Sequence, residues 1–267
     1  MPLSPLLQRY DQVLLDLDGC VWVGEELIAG SGDALAGLRA EGRSIAFVTN
    51  DARHSPEEYV RKLWSLGLQA SLEEIVTVGA AIQYALAGRL PGSTAYVIGS
   101  PAVFRHVAES GHRIVNGTEQ ATAADVVVVA GHDAFDYAEL REATQAALNG
   151  AEIIAAGRDR TFPGPGGEWP GTGAILAAIE YASRREARVV GKPDPLIFST
   201  ALDRLGPGRA LMVGDRIESD LAGAAAAGLD GAIVLTGVST RGEAEAATNP
   251  SPVAIAEDLR TLVLAGE

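Results

Sequence analysis

Two hydrophobic patterns alternate along the chain. Short apolar runs without polar interruption are typical of strands that are buried on both faces of a parallel sheet. Three such runs lie at residues 13–15, 45–48 and 210–213. Between the runs lie longer segments that open with a helix-starting signal, for example Ser55-Pro56 and Asp194-Pro195. This alternation predicts an α/β fold built on a Rossmann-like, doubly wound and mainly parallel sheet.

The middle of the chain predicts a second α/β unit. Its apolar runs and helical segments lie at residues 95–98, 126–130 and 153–155, and at 137–148 and 172–185. Because this is a complete set of elements rather than a long loop, we expect an inserted domain at 81–186. The core domain is then formed by residues 1–80 and 187–267.

The first apolar run ends in two aspartates, Asp16 and Asp18, separated by one residue. The two-residue period of a strand puts both side chains on the same side of the backbone, at the carboxyl end of the strand. Open α/β sheets bind their ligands at that edge. Since two carboxylates this close repel each other, a divalent cation or a shared proton is expected between them.

Other polar residues also follow predicted strands. Thr49 and Asn50 offer a hydroxyl and an amide that suit phosphate oxygens. Lys192 follows a short run at 189–190, and Asp215 ends the run at 210–213. Each residue alone is ordinary, since a turn, a solvated lysine and a Gly-Asp pair are common. Their combination in this order indicates one site.

These residues, together with Gly19, Gly214 and Asp220, resemble the motifs of the haloacid dehalogenase superfamily of phosphotransferases. Asn50 and Lys192 are 142 residues apart, so the large insertion falls between the second and third motifs. That arrangement is similar to the subgroup with an α/β cap domain. The subgroup contains NagD-type nucleotidases, 4-nitrophenylphosphatases, phosphoglycolate phosphatases and the pyridoxal phosphatase chronophin. The segment 235–240 and most of the remaining chain also look like this subgroup.

The resemblance implies a magnesium-dependent phosphatase of small phosphomonoesters. Asp16 would be the nucleophile that forms an aspartyl-phosphate, and Asp18 the general acid and base. Mg²⁺ would be held by the carboxylates of Asp16 and Asp215 and by the carbonyl of Asp18. Asp220 would bind the metal through water or pair with Lys192, or would act only as a helix-start residue. The groups implied to bind phosphate are the Gly19 amide, Thr49, Asn50 and Lys192.

Substrate choice is expected to lie in the inserted domain. Arg158 stands where relatives usually carry Asn, and an arginine there can bind a second anionic group of the substrate. His132 is a second candidate contact, although a lone loop histidine is more often structural. Asp51 replaces a common Asn and is interpreted as a turn residue; an inward orientation would disfavour a dianionic substrate.

The composition excludes several classes of binding partner. The net charge of −14 argues against nucleic acid or an anionic membrane surface as a partner. We expect a cytoplasmic protein, because the start of the chain lacks a signal-peptide pattern and no apolar run reaches membrane-spanning length. The single cysteine, Cys20, excludes an internal disulfide. A thiol phosphatase is disfavoured, since Glu26 occupies the position where such an enzyme needs arginine.

Several alternatives remain open at this point. A phosphomutase or another phosphotransferase would use the same aspartyl-phosphate, although such relatives usually carry a helical cap between the first two motifs. A dehalogenase has no use for Asp18. A non-catalytic binding module is disfavoured because all four motif positions are intact. A homodimer is also left open.

Overall fold

The computed structural model describes residues 2–88, 90, 92–164 and 167–266. Its contacts divide the chain into two compact units. The first unit comprises Met1–Thr49, Pro56–Val76 and Lys192–Glu267, and the second comprises Asn50–Ser55 and Thr77–Gly191. The predicted inserted domain at 81–186 is therefore narrower than the second unit, which begins earlier, ends later and takes in the segment 50–55.

The first unit contains a six-stranded sheet with helices between its strands. A separate two-stranded hairpin consists of β2 (Trp22–Val23) and β3 (Glu26–Leu27). The strands of the six-stranded sheet are β1 (Gln12–Leu15), β4 (Ser44–Thr49) and β5 (Ile75–Thr77), followed after the second unit by β13 (Ala210–Gly214), β14 (Asp230–Val234) and β15 (Ala254–Ala256). Its helices are α1 (Ser31–Ala40), α2 (Pro56–Ser65), α7 (Pro195–Leu205), α8 (Ala222–Ala226), α9 (Arg241–Ala246) and α10 (Leu259–Val263).

The order of the main sheet is β15-β14-β13-β1-β4-β5, with β1 in the interior. β1 pairs in parallel with both β13 and β4, so Leu15 lies beside Val213 on one side and Phe47 on the other. Every residue of β1 and β13 is buried, as the uninterrupted apolar runs predicted. The carboxyl ends of these central strands therefore lie at one edge of the sheet, which positions the polar residues that follow them.

The second unit has a sheet of its own. Its strands are β6 (Thr94–Ile98), β7 (Arg113–Ile114), β8 (Val126–Val129), β9 (Glu152–Ala155), β10 (Thr161–Gly164), β11 (Gly167–Pro170) and β12 (Arg188–Val189). Its helices are α3 (Val78–Leu86), α4 (Pro101–Glu109), α5 (Tyr137–Leu148) and α6 (Thr172–Ser183). The five-stranded order is β12-β9-β8-β6-β7, all parallel, and β10 and β11 form a separate antiparallel hairpin.

The helix-starting signals lead to helices. α2 begins at Pro56 with two glutamates in its first turn, and α7 begins after Asp194, whose side chain accepts a hydrogen bond from the Leu196 N–H.

One strand lies in a different sheet from the one expected. The short run before Lys192 is β12, which pairs with β9 of the second unit and not with the main sheet. A two-residue strand carries too little sequence information to specify its neighbour.

Within the described residues, no helix combines the length and the apolar character that crossing a membrane requires.

Candidate active site

Lys192 and Asp16 form a buried ion pair at the carboxyl edge of the main sheet. The Lys192 Nζ lies 2.5 Å from Asp16 Oδ1 and 2.8 Å from Asp220 Oδ1, and it also donates to the Val48 carbonyl at 3.1 Å. The side chain of Lys192 is only 4% exposed. One ammonium group therefore links β1, the end of β4 and the turn after β13.

Asp16, Asp215 and Asp220 form a cluster of buried carboxylates. One oxygen of each lies within 4.8 Å of the others, which is close enough to hold one metal ion. Asp215 Oδ2 accepts a hydrogen bond from the Val238 N–H at 2.7 Å, whereas its Oδ1 is buried and has no hydrogen-bond partner among the described residues. An unsatisfied buried carboxylate oxygen is costly, and a hard divalent cation would satisfy it. The residues present therefore fit a metal ion such as Mg²⁺.

Two glycines make room for Asp215. A Cβ on Gly237 would lie only 2.0 Å from Asp215 Oδ2, and one on Gly19 would lie 2.7 Å from the same oxygen. Gly19 also adopts φ +86°, a left-handed conformation that favours glycine. The close approach of both backbones encloses the carboxylate and explains why these positions carry no side chain.

Burial controls the electrostatics of the cluster. Desolvation raises the pKa of Asp16 to about 7; Lys192 opposes this shift, and the charges of Asp220 and Asp215 reinforce it. Desolvation also raises the pKa of Asp215, with Asp220 as the next cause. Burial by itself would lower the pKa of Lys192, but the adjacent carboxylates of Asp16 and Asp220 outweigh it and raise that pKa. Lys192 therefore stays protonated, whereas the raised pKa values of Asp16 and Asp215 mean that the fully ionised form of the cluster is disfavoured without a further cation.

Asp220 lies on a π-helical turn, Ile217–Leu221, that precedes α8. Its Oδ2 accepts a hydrogen bond from the Arg216 N–H at 3.0 Å, while its Oδ1 faces Lys192. Of the alternatives left open by the sequence, the pairing with Lys192 is therefore present. The Asp220 carboxylate also belongs to the acidic cluster, so a role in metal binding remains compatible with its pairing to Lys192.

Asp18 differs from Asp16 in being exposed. It lies in a tight turn in which the Leu17 carbonyl accepts hydrogen bonds from the N–H groups of Cys20, Val21 and Trp22. The Gly19 N–H, which the resemblance assigned to phosphate, donates to the Trp22 carbonyl at 2.7 Å instead. Among the described residues, the N–H groups of Leu17 and Asp18 have no hydrogen-bond acceptor. These two donors, which sequence reasoning did not single out, follow the candidate nucleophile directly.

Thr49 and Asn50 fall into different units. Thr49 ends β4 and is buried in the first unit, beside the strand that leads to Asp16. Asn50 opens the segment 50–55 of the second unit, where a Cβ on Gly191 would lie 2.6 Å from its Oδ1. The role of Asn50 in phosphate binding stays a prediction.

The substrate-contact candidates of the second unit are each paired with a glutamate. Both Nη atoms of Arg158 bond to the carboxylate of Glu180 at 2.7 Å, and this pair lowers the pKa of Glu180. His132 Nε2 lies 2.9 Å from Glu139, the residue that completes the capping box of α5. The substrate roles of Arg158 and His132 also stay predictions.

Asp51 forms a local turn. Its Oδ1 accepts hydrogen bonds from the Arg53 N–H and Nε, and its Oδ2 lies 2.6 Å from His54 Nδ1. These contacts agree with the interpretation of Asp51 as a turn residue.

Cys20 is buried, and burial raises the pKa of its thiol well above the ordinary value, with Asp16 as the next cause. A thiol held in its neutral form is a poor nucleophile. The interpretation of Cys20 as a packed residue therefore agrees with its surroundings.

The segment 235–240 is the part of the site that sequence reasoning left without a role. Thr236 Oγ1 donates to the Gly19 carbonyl at 2.6 Å, and the Val238 N–H bonds to Asp215 as described above. The Ser239 N–H donates to the Asp215 carbonyl. This loop therefore fixes both the nucleophile turn and a metal-ligand candidate. Its similarity to the subgroup was the available signal, but no single residue type in it indicates chemistry.

Comparison with known proteins gives a consistent result. A protein-family model described as haloacid dehalogenase-like hydrolase matches residues 13–113, and a second family model of that kind matches residues 189–262. The chain is 37% identical over 262 residues to D-glycerol 3-phosphate phosphatase of Mycobacterium tuberculosis, covering 97% of this chain and 73% of the relative. It is 34% identical to human chronophin, covering 91% of this chain and 87% of the relative.

Solved structures resemble almost the whole chain. The glycerol phosphate phosphatase of Mycobacterium tuberculosis in complex with magnesium superposes with a TM-score of 0.89 at 36% identity, over 98% of this chain and 78% of that one. NagD of E. coli superposes with a TM-score of 0.85 at 25% identity, over 94% of this chain and 97% of that one.

Proposed function

The chain belongs to the haloacid dehalogenase superfamily, in its NagD- and chronophin-like group of phosphatases, and on that premise we propose that it hydrolyses small phosphomonoesters with Mg²⁺ through a phosphoryl intermediate on Asp16. The observation that carries this proposal is the convergence of Lys192 on the carboxylates of Asp16 and Asp220, beside the unsatisfied Oδ1 of Asp215. A nucleophile, a fixed cation and a metal site then act on one phosphorus atom, which is what phosphoryl transfer requires.

Asp16 begins the reaction. Its carboxylate attacks phosphorus while the bond to the ester oxygen breaks, and Asp18 gives that oxygen a proton as the alcohol leaves. In the second step, Asp18 takes a proton from water as the water oxygen attacks phosphorus. The bond to Asp16 breaks, and inorganic phosphate is released. The exposure of Asp18 suits this exchange of protons with substrate and water.

Charge neutralisation comes from Lys192 and from backbone donors. The Lys192 ammonium, held against Asp16, is positioned to stabilise negative charge on the phosphoryl oxygens. The N–H groups of Leu17 and Asp18 are further donors to those oxygens, together with the Thr49 hydroxyl. Asp16, Asp215 and the Asp18 carbonyl would hold Mg²⁺, which would supply positive charge to the acidic cluster.

The substrates are proposed to be small phosphomonoesters, of which glycerol 3-phosphate is the first to test. The relatives at 34–37% identity include glycerol 3-phosphate phosphatases of Mycobacterium tuberculosis and Gallus gallus and human chronophin. Sugar, nucleotide and pyridoxal phosphates and phosphoglycolate form the rest of the panel.

The test is release of inorganic phosphate in the presence of Mg²⁺, first from 4-nitrophenyl phosphate and then from the panel. We expect activity in the wild type and in Asp203→Asn, an exposed carboxylate on α7, and none in Asp16→Asn. Transfer of phosphate to an added alcohol without net release would contradict hydrolysis and favour a phosphotransferase. Binding without release from any ester would contradict both.

A further inference from the structure

The turn that carries Asp18 is closed by the backbone of Trp22. The Trp22 carbonyl accepts the Gly19 N–H at 2.7 Å, and the Trp22 N–H donates to the Leu17 carbonyl at 3.2 Å. Asp18 and Trp22 also form an isolated bridge. Because the Asp18 side chain is exposed, its direction depends on this turn and therefore on the position of Trp22.

Trp22 is also the first residue of a small hairpin formed by β2 and β3. Its indole ring is buried and stacks on Tyr59 of α2, with ring centroids 6.2 Å apart and planes inclined by 10°. The Lys62 ammonium lies 4.7 Å from the centroid of the same indole, within the range of a cation–π interaction.

Lys62 also contacts the tip of the hairpin. Its Nζ donates to the Gly24 carbonyl at 2.7 Å and to Glu25 Oε1 at 3.1 Å. The Lys62 side chain is 26% exposed, whereas that of Glu25 is 90% exposed. One side chain of α2 therefore contacts both the base and the tip of the hairpin.

We propose that Lys62 is a positioning residue for the proton transfer that Asp18 performs. It fixes the hairpin against α2, the hairpin fixes Trp22, and Trp22 fixes the turn of Asp18. This inference rests on the proposed function, because it concerns the acid step of the same site. Small misplacement of a catalytic group is enough to slow a reaction substantially.

The test compares two leaving groups. Departure of an alkoxide from an alkyl ester such as glycerol 3-phosphate needs a proton from Asp18, whereas 4-nitrophenolate leaves without one. kcat/KM reports the steps up to that departure. The ratio of the two kcat/KM values also cancels any difference in the amount of folded enzyme, so a partly unfolded variant still gives a valid result.

We expect Lys62→Met to lower kcat/KM for the alkyl ester about tenfold and that for 4-nitrophenyl phosphate less than about twofold. Asp18→Asn is the reference and should show the same contrast more strongly, about a hundredfold. Lys62→Arg, which keeps the cation, should restore most of the ratio. Arg61→Met, an exposed neighbour on α2, is the matched control and should leave the ratio unchanged.

Equal losses on both esters in Lys62→Met, or no loss on either, would overturn the inference and leave the phosphatase proposal standing. If Asp18→Asn lowers kcat/KM equally for the two esters, the acid role of Asp18 is overturned, and the inference with it. Absence of phosphate release from both esters in the wild type would identify a failure of the proposed function itself.

Discussion

The two units share an architecture but differ in the burial and the charge balance of their ionisable side chains. In the first unit, Asp16, Asp215, Asp220 and Lys192 are all at least nine-tenths buried, with three carboxylates against one ammonium. In the second unit, the Arg158 side chain is 53% exposed and its charge is matched by Glu180. Burial with unbalanced charge, rather than the parallel sheet itself, marks the edge where chemistry is expected.

The difference has an energetic meaning. Buried carboxylates without enough positive charge destabilise the folded protein, and a folded protein retains them when a ligand or a reaction uses them. A solvated ion pair such as Arg158 and Glu180 contributes less than about 1 kcal/mol and needs no such explanation. The comparison therefore makes different predictions for substitutions in the two units.

The largest effect is expected at the nucleophile. Asp16→Asn should reduce kcat about 10⁴-fold, because an amide cannot attack phosphorus and form the acyl phosphate. Glu180→Gln, a carboxylate substitution in the second unit, should leave turnover of 4-nitrophenyl phosphate unchanged. The measurement is steady-state phosphate release. Retention of a tenth of the wild-type kcat by Asp16→Asn would remove Asp16 from the nucleophile role.

The second largest effect is expected from removal of the metal ion. EDTA should silence the enzyme and Mg²⁺ should restore it, because the acidic cluster needs a cation to bind a phosphate dianion. Mg²⁺ at 100 times its dissociation constant should also stabilise the native state by about 2.7 kcal/mol, which a thermal melt detects as a higher Tm. Asp215→Asn should lose most of that shift. Full activity in excess chelator would contradict the metal site.

The smallest effect is expected in the second unit. Sequence reasoning predicts that Arg158 binds a second anionic group of the substrate, so that Arg158→Ala would raise KM by the equivalent of roughly 1.5–3 kcal/mol. The pairing with Glu180 engages both Nη atoms and gives a different expectation. Arg158→Ala and Glu180→Gln should each lower the free energy of unfolding by less than about 1 kcal/mol and leave KM within about twofold.

Two controls make this measurement decisive. Arg160→Ala, on the same exposed loop, shows the effect of removing a positive charge nearby. Glu180→Gln weakens the ion pair while keeping the Arg158 charge. A rise in KM confined to Arg158→Ala and to substrates with a second anion would support the substrate contact and contradict the expectation drawn from the ion pair.

Much of the fold follows from local sequence signals. Asp194 and Pro195 specify the start of α7, and α5 begins and ends at the predicted residues, because capping and helical periodicity act over a few neighbours. The sheet that receives β12 was not predictable in the same way. Its pairing with β9 depends on tertiary packing across more than thirty residues of chain.

In the candidate site, too, local sequence patterns predict some features and tertiary packing decides the others. The two-residue period places Asp16 and Asp18 at the strand end, but it does not say that one is buried and the other exposed. The partners of Lys192 and Arg158, and the use of the Gly19 N–H within its own turn, depend on contacts that no local pattern encodes. Residue types indicate which chemistry is available, and only packing decides which groups are already engaged.

The central claim is that Asp16 becomes phosphorylated, and Asp18→Asn offers the most direct test. Without a base to activate water, this variant should accumulate the intermediate when mixed with 4-nitrophenyl phosphate and Mg²⁺, because 4-nitrophenolate leaves without a proton from residue 18. Intact-mass analysis after acid quenching should show one added phosphoryl group, peptide mapping should locate it on Asp16, and the Asp16→Asn/Asp18→Asn double variant should show none. A phosphoryl group on another residue, or continued phosphate release by Asp18→Asn with no adduct at any time, would contradict the account.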